Sequence, residues 1–125
     1  MKSILMIACG VLSIVGGALH TAGIRIIHGA IAKANVTGDL AKIVDIAWVF
    51  MGMAIITFGA ILLTYGIQMR KAKYGGRLLA GWVAACLTLF SGGAMILVGY
   101  DSHFLFFLII GVVAGFACLP DKKAA

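Results

Sequence analysis

IAWVFMGMAIITFGAILLTYGIQM, residues 46–69, decides the fold of this chain. No residue in it carries a formal charge. At a rise of about 1.5 Å per residue, a helix of this length crosses the roughly 30 Å hydrocarbon core of a bilayer. The apolar residues fall on all sides and do not alternate, which excludes a strand of a membrane barrel. Lipid offers backbone groups no partner, so the stretch must bond its own and form a helix.

Three more apolar runs flank it. With Asp45 and its neighbour Val44 the central run extends over 44–69, and the others cover 3–23, 78–100 and 104–119. Of the 125 residues 63% are apolar and only 11% charged, against about 45–50% and about 25% in soluble domains. A water-soluble core this small cannot hide that much apolar surface. The expected architecture is one all-α membrane domain, 1–125, a four transmembrane helix bundle. Met1-Lys2 followed by the apolar run to Leu19, with Gly16-Gly17-Ala18 as a cleavage-like site, also has the layout of a secretory signal. It is read here as the first span.

The connections carry the charge. Residues 24–43 form a semi-polar stretch with Arg25, His28, Lys33, Asp39 and Lys42. Ile24, Ile27 and Ile31 recur at helical spacing, so part of it extends the first helix or lies along the interface. Asn35 to Asp39 reads as a turn, with Thr37 or Asp39 as a helix cap. Arg70, Lys71, Lys73 and Arg77 surround Gly75-Gly76 in a basic loop, 70–77. Pro120 stops the last helix ahead of Asp121, Lys122 and Lys123. Lys2, Arg70, Lys71, Lys73, Arg77, Lys122 and Lys123 fall on one side of this topology; Arg25, Lys33 and Lys42 fall on the other. Basic residues favour the cytoplasmic side, which predicts N-in/C-in. The net charge of +6 gathers at span ends and makes no basic face, which argues against nucleic acid.

Small residues predict how the bundle closes. Gly52, Gly59 and Gly66 lie one heptad apart on span two, and a neighbour's backbone can approach along that seam. Gly111 and Gly115 make a GxxxG on span four, Ser13 and Gly17 a similar pair on span one, and Ala80, Ala84 and Thr88 a similar row on span three. These seams serve packing within the chain or an interface with a second copy, and a homo-oligomer or larger membrane complex stays open. Cys9, Cys86 and Cys118 lie in apolar runs without metal-ligand spacing and read as packing residues.

One polar constellation stands out. His20, His28, Asp45, Trp48, Tyr100, Asp101 and His103 all fall on the outer side of the expected topology. The ordinary reading is interfacial: such groups snorkel, cap helices and pair, as Arg25 with Asp39 or Asp45. Three ligand readings stand beside it. His20 and His103, on different helices at matched depth, could ligate a metal or haem. Trp48, Tyr100 and His20 could serve as donors to a quinone or a lipid headgroup in an apolar cleft. His20 and His28 are about 12 Å apart along a straight helix and cannot share an ion unless the helix breaks at Gly23. No catalytic motif is present, and no residue is assigned to catalysis. Trp48, Trp82, Tyr74 and Tyr100 at span ends fit an aromatic belt. Phe104, Phe106 and Phe107 are expected to face lipid or the bundle.

Transport by a proton-coupled route needs an ionisable group inside the membrane, and the centres of these spans contain none. A small oligomeric channel or transporter is therefore the last of the functional alternatives. The order of parts resembles small four-helix bacterial inner-membrane proteins of uncharacterised function. The shared features are Leu19-His20 at the end of span one, Asp45 to Trp48 opening span two, and the basic loop Arg70 to Arg77 before span three. That resemblance implies fold and location in a bacterial inner membrane, and no activity. The leading expectation is a non-catalytic binding or accessory subunit that contacts lipid, quinone or a partner protein.

Overall fold

The computed structural model describes residues 1–73 and 75–120. Tyr74 and the tail residues Asp121, Lys122 and Lys123 lie outside the described residues. The chain is all-helical: α1 Lys2–Ala22, α2 Ile24–Lys33, α3 Gly38–Arg70, α4 Arg77–Val98 and α5 Ser102–Cys118. Helices α1, α3 and α4 are long and apolar enough to cross a membrane. The fifth, α5, is apolar but has only 17 residues, or about 26 Å of length.

The semi-polar stretch 24–43 is more ordered than a loop. Gly23 alone separates α1 from α2, and Gly38, at the end of the turn, already begins α3. Two left-handed residues make that turn, Asn35 at φ 54° and Gly38 at φ 68°. Thr37 stands at the N-cap of α3 without a side-chain capping bond. Asp39 instead pairs with Lys42 at 3.2 Å.

Helices α1 and α3 pack antiparallel along a seam of glycines. A Cβ on Gly59 would fall 2.7 Å from the Ile14 nitrogen and 2.8 Å from the Gly10 oxygen. A Cβ on Gly66 would fall 2.8 Å from the Ile7 nitrogen, and one on Gly52 would collide with Thr21 Oγ1. Gly10 and Gly17 answer from α1, against Leu63 and the Gly52 oxygen. Gly17 therefore lies on the α3 seam, while Ser13 is fully buried and its hydroxyl has no partner.

The second tight pair is α4 with α5. Gly111 faces Ala84 and Thr88: its Cβ would sit 2.7 Å from the Thr88 nitrogen. Gly115 lies beside Ala84 at 3.9 Å. The GxxxG of the last helix is thus engaged within the chain. Met6, Leu62, Ala80, Ala84, Phe107 and Ala114 are among the residues that fill the space between the two pairs.

The free carbonyls at the end of α5 are met by cations from two other helices. Lys2 Nζ donates to Leu119 O at 2.7 Å, and Arg77 Nε donates to Cys118 O at 2.8 Å. A cation at a helix C-terminus satisfies an orphan acceptor and the negative end of the macrodipole. The start of α1, the end of α3, the start of α4 and the end of α5 therefore share one basic end of the molecule. The opposite end carries His20, Trp48 and His103. Large side chains such as Ile96, Leu97 and Leu89 are exposed along the sides. A continuous apolar mantle of this kind suits hydrocarbon and not water.

Candidate functional site: the His20 groove

Three helices meet at the end opposite the basic loop. His20 comes from the last turn of α1, Trp48 from α3 and His103 from the first turn of α5. The break at Gly23 leaves the last carbonyls of α1 short of intrahelical partners. Trp48 Nε1 donates to the His20 carbonyl at 2.7 Å, alongside the Gly23 amide at 3.1 Å. The same contact lays the Trp48 indole over the His20 imidazole, ring centroids 3.8 Å apart and planes within 16°.

His20 Nδ1 lies 3.1 Å from His103 Nε2. One imidazole donates and the other accepts, so at least one of the two is neutral while this bond holds. The position of His103 is fixed by Asp101, the N-cap of α5, whose Oδ1 accepts from the His103 amide at 2.7 Å. Phe107, one helical turn beyond His103, meets that ring edge-on at 5.1 Å. A column of rings results: Trp48, His20, His103, Phe107.

His20 is nine-tenths buried, and its second ring nitrogen, Nε2, has no hydrogen-bond partner. Whichever tautomer is present, that nitrogen is an unmet donor or acceptor, a deficit of about 1–3 kcal/mol. The ring lines an open groove of about 440 Å³ between α1 and α5. Apart from His20 and His103 its walls are apolar or aromatic, with Val15, Leu19, Phe106 and Phe107 prominent. Gly16 makes room for the two phenylalanines: its Cβ would fall 3.0 Å from Phe106 and 3.1 Å from Phe107.

The residues anticipated from sequence separate into two groups. His20, Trp48 and His103 come together, with Asp101 in support. His28 and Asp45 form their own pair, Nε2 to Oδ1 at 3.0 Å, both partly open to solvent. No aligned hydrogen bond reaches that oxygen, so the contact is electrostatic and depends on a protonated His28. Asp45 thus meets His28, not Arg25. Tyr100 is 75% exposed and does not line the groove. Phe106, Phe107 and Gly16 also line the groove, whereas the sequence reads the two phenylalanines as facing lipid or the bundle and gives Gly16 no place in the site. The signal was there for Phe107, which stands at i+4 from His103 and so shares its face.

Among the described residues no three His, Cys, Asp or Glu side chains are placed to hold a metal ion. An ion held in line between two imidazoles separates their nitrogens by about 4 Å, at ~2.0–2.1 Å per bond. His20 and His103 are bonded to each other at 3.1 Å. Comparison with protein-family models, curated proteins and solved structures gives no match for this chain.

Proposed function

We propose that this protein is a four-span bundle of a bacterial inner membrane, both termini cytoplasmic, that binds a flat amphipathic ligand of the quinone class in the His20 groove. In this reading α5 is the fourth span, and the groove opens sideways to lipid near the outer boundary. The observation that carries it is the unpartnered Nε2 of a buried histidine in the wall of an apolar cavity. Ligand sites are mostly apolar clefts of about 300–1,000 Å³ with a few placed polar groups. The groove has that size and that composition. A quinone ring offers a carbonyl or hydroxyl to His20 and flat faces to Trp48, Phe106 and Phe107, and its tail remains in hydrocarbon. Binding without a built-in redox centre suits an accessory subunit that holds or hands over the ligand.

The metal or haem reading is weaker on this geometry, because the direct contact of His20 Nδ1 with His103 Nε2 at 3.1 Å leaves no room for an ion between the two rings. The transport reading finds little support within one chain: among the described residues only Ser13, His20 and Ser91 are buried polar groups.

The chain has two tryptophans, Trp48 and Trp82. In a Trp82→Phe background the remaining fluorescence comes from Trp48, stacked on His20. A short-chain quinone titrated into this protein in nanodiscs should quench it saturably. Val15→Phe, which narrows the groove from an exposed wall position, should abolish saturation. His20→Gln should weaken binding by about tenfold, the worth of one hydrogen bond. Quenching that rises linearly and equally in all three proteins would remove the proposal.

A further inference from the structure

We infer that the crevice between α3 and α4 at the basic end is a binding site for an anionic phospholipid. This site is separate from the His20 groove, which lies between α1 and α5. Helices α3 and α4 touch far less than the α1–α3 and α4–α5 pairs do. The gap between them holds a cavity of about 290 Å³, lined by Thr57, Ala60, Thr64, Gln68, Gly76 and Leu79 among others. Thr57 to Gln68 spans about 16 Å of helix axis, half the ~30 Å hydrocarbon core and so the depth of one leaflet.

The Thr57 hydroxyl at the deep end donates back to Met53 O at 2.9 Å, which leaves the free hydrogen-bonding groups of the crevice toward Gly76. Ala60, Ile61 and Leu79 give it apolar walls for an acyl chain. Thr64 and Gln68 place hydrogen-bonding groups toward the end where glycerol and ester oxygens would lie. Gly76 closes that end as the N-cap of α4. No side chain caps α4 there, so its first amides are open to an anion. Arg70 at the end of α3, and Lys71 and Lys73 just beyond it, are all exposed. No acidic residue occurs anywhere between Asp45 and Asp101 to balance them. Clustered Lys and Arg beside a span attract anionic headgroups, and here the cluster stands at the mouth of a chain-sized slot. Charge complementarity selects the lipid over a second copy of this chain, which would bring the same cations to the same mouth.

Native mass spectrometry of the delipidated protein in detergent tests this with phosphatidylglycerol and phosphatidylcholine of identical acyl chains. Phosphatidylglycerol should be retained, one per chain, at concentrations where phosphatidylcholine is not. Lys71→Gln together with Lys73→Gln should weaken that retention by roughly fivefold per charge removed. Ala60→Phe, which fills the crevice from an exposed position, should abolish it. Equal retention of the two lipids, or retention unchanged in the double lysine variant, overturns the proposal. A two-chain species that Ala60→Phe abolishes also overturns it and assigns the crevice to a second copy. The lysines are exposed turn residues, so the charge arm stands even if Ala60→Phe fails to fold.

Discussion

Ala72 holds a left-handed backbone at φ 55°, just beyond the end of α3. Its amide donates to Met69 O at 3.1 Å and that of Lys73 to Gln68 O at 2.9 Å, the paired bonds that close a helix C-terminus. The same closure ends α2, with Asn35 in the left-handed place. Asn tolerates that conformation; alanine does so at a cost of about 1–2 kcal/mol. Ala72→Gly should therefore raise stability by up to ~1 kcal/mol, read as a higher midpoint in thermal unfolding in detergent, with the fold unchanged. Asp101 presents the reverse case. Asp101→Ala removes the acceptor that seats His103 and should cost about 0.5–2 kcal/mol. It should also weaken quinone binding in the Trp48 assay, and Asp101→Asn, which keeps an accepting oxygen, should restore both. If the alanine variant loses stability but binds normally, Asp101 caps α5 without positioning the site. The His20–His103 meeting was legible in sequence as two histidines at matched depth on different helices. Its consequence, an unmet Nε2, was not: hydrogen-bond satisfaction depends on side-chain geometry that residue order does not carry. Nor did sequence separate His28 and Asp45 from the site, since all stand at one depth and Asp45, three residues before Trp48, shares its helix face.

Among elements, the α1–α3 pair rests on backbone contact. Hydrocarbon removes the usual gain from burying apolar side chains, so association depends on close packing and interhelical hydrogen bonds. Glycine at 52, 59 and 66 permits that approach, and at 59 and 66 a Cβ would fall within 2.8 Å of main-chain atoms of Ile14, Gly10 or Ile7, which no side-chain rotation relieves. Gly59→Val should thus force the helices apart, at a cost of roughly 1–3 kcal/mol from overpacking, and lower the unfolding midpoint. Gly81→Val, on α4 with nothing within 4 Å of its Cβ, is the matched control and should leave the midpoint nearly unchanged. Equal effects at the two positions would refute the seam. The heptad spacing announced this seam because glycine leaves few other reasons to recur at that interval. It could not say which helix would occupy it, as GxxxG on α5 and the small residues of α1 and α4 offered similar faces. In the structure α1 takes α3, and α4 takes α5. The structured part of 24–43 was only half visible, since a ten-residue amphipathic α2 shares its composition with an interfacial loop.

At the scale of the molecule, helix directions are fixed by the cationic contacts to α5 and by the antiparallel glycine seam. The proposed side assignment rests on charge: Lys2, Arg70, Lys71, Lys73 and Arg77 gather at one end, and Arg25, Lys33 and Lys42 lie nearer the other. The length of α5 makes its crossing the most exposed part of the proposed topology. Its roughly 26 Å falls short of a ~30 Å core, yet local thinning and snorkelling offset a mismatch of a few ångströms at modest cost. Lys2 and Arg77, bonded to its last carbonyls, bring their own charges to the level where α5 ends. A helix anchored this way ends at the same level of the bundle as the start of α1. Cysteine labelling checks both claims together, after Cys9, Cys86 and Cys118 are replaced by Ala or Ser. An impermeant maleimide applied to intact spheroplasts should label Ser102→Cys, at the start of α5, and spare Gly75→Cys and Leu119→Cys. Permeabilisation should expose the latter two. Labelling of Gly75→Cys and Leu119→Cys alone would reverse the orientation and keep four spans. Labelling of Ser102→Cys and Leu119→Cys together would show that α5 returns to the side it left, and the bundle would then have three spans and a re-entrant helix. The His20 groove would survive that last outcome, because its walls depend on where α5 packs against α1 and not on which surface its end reaches.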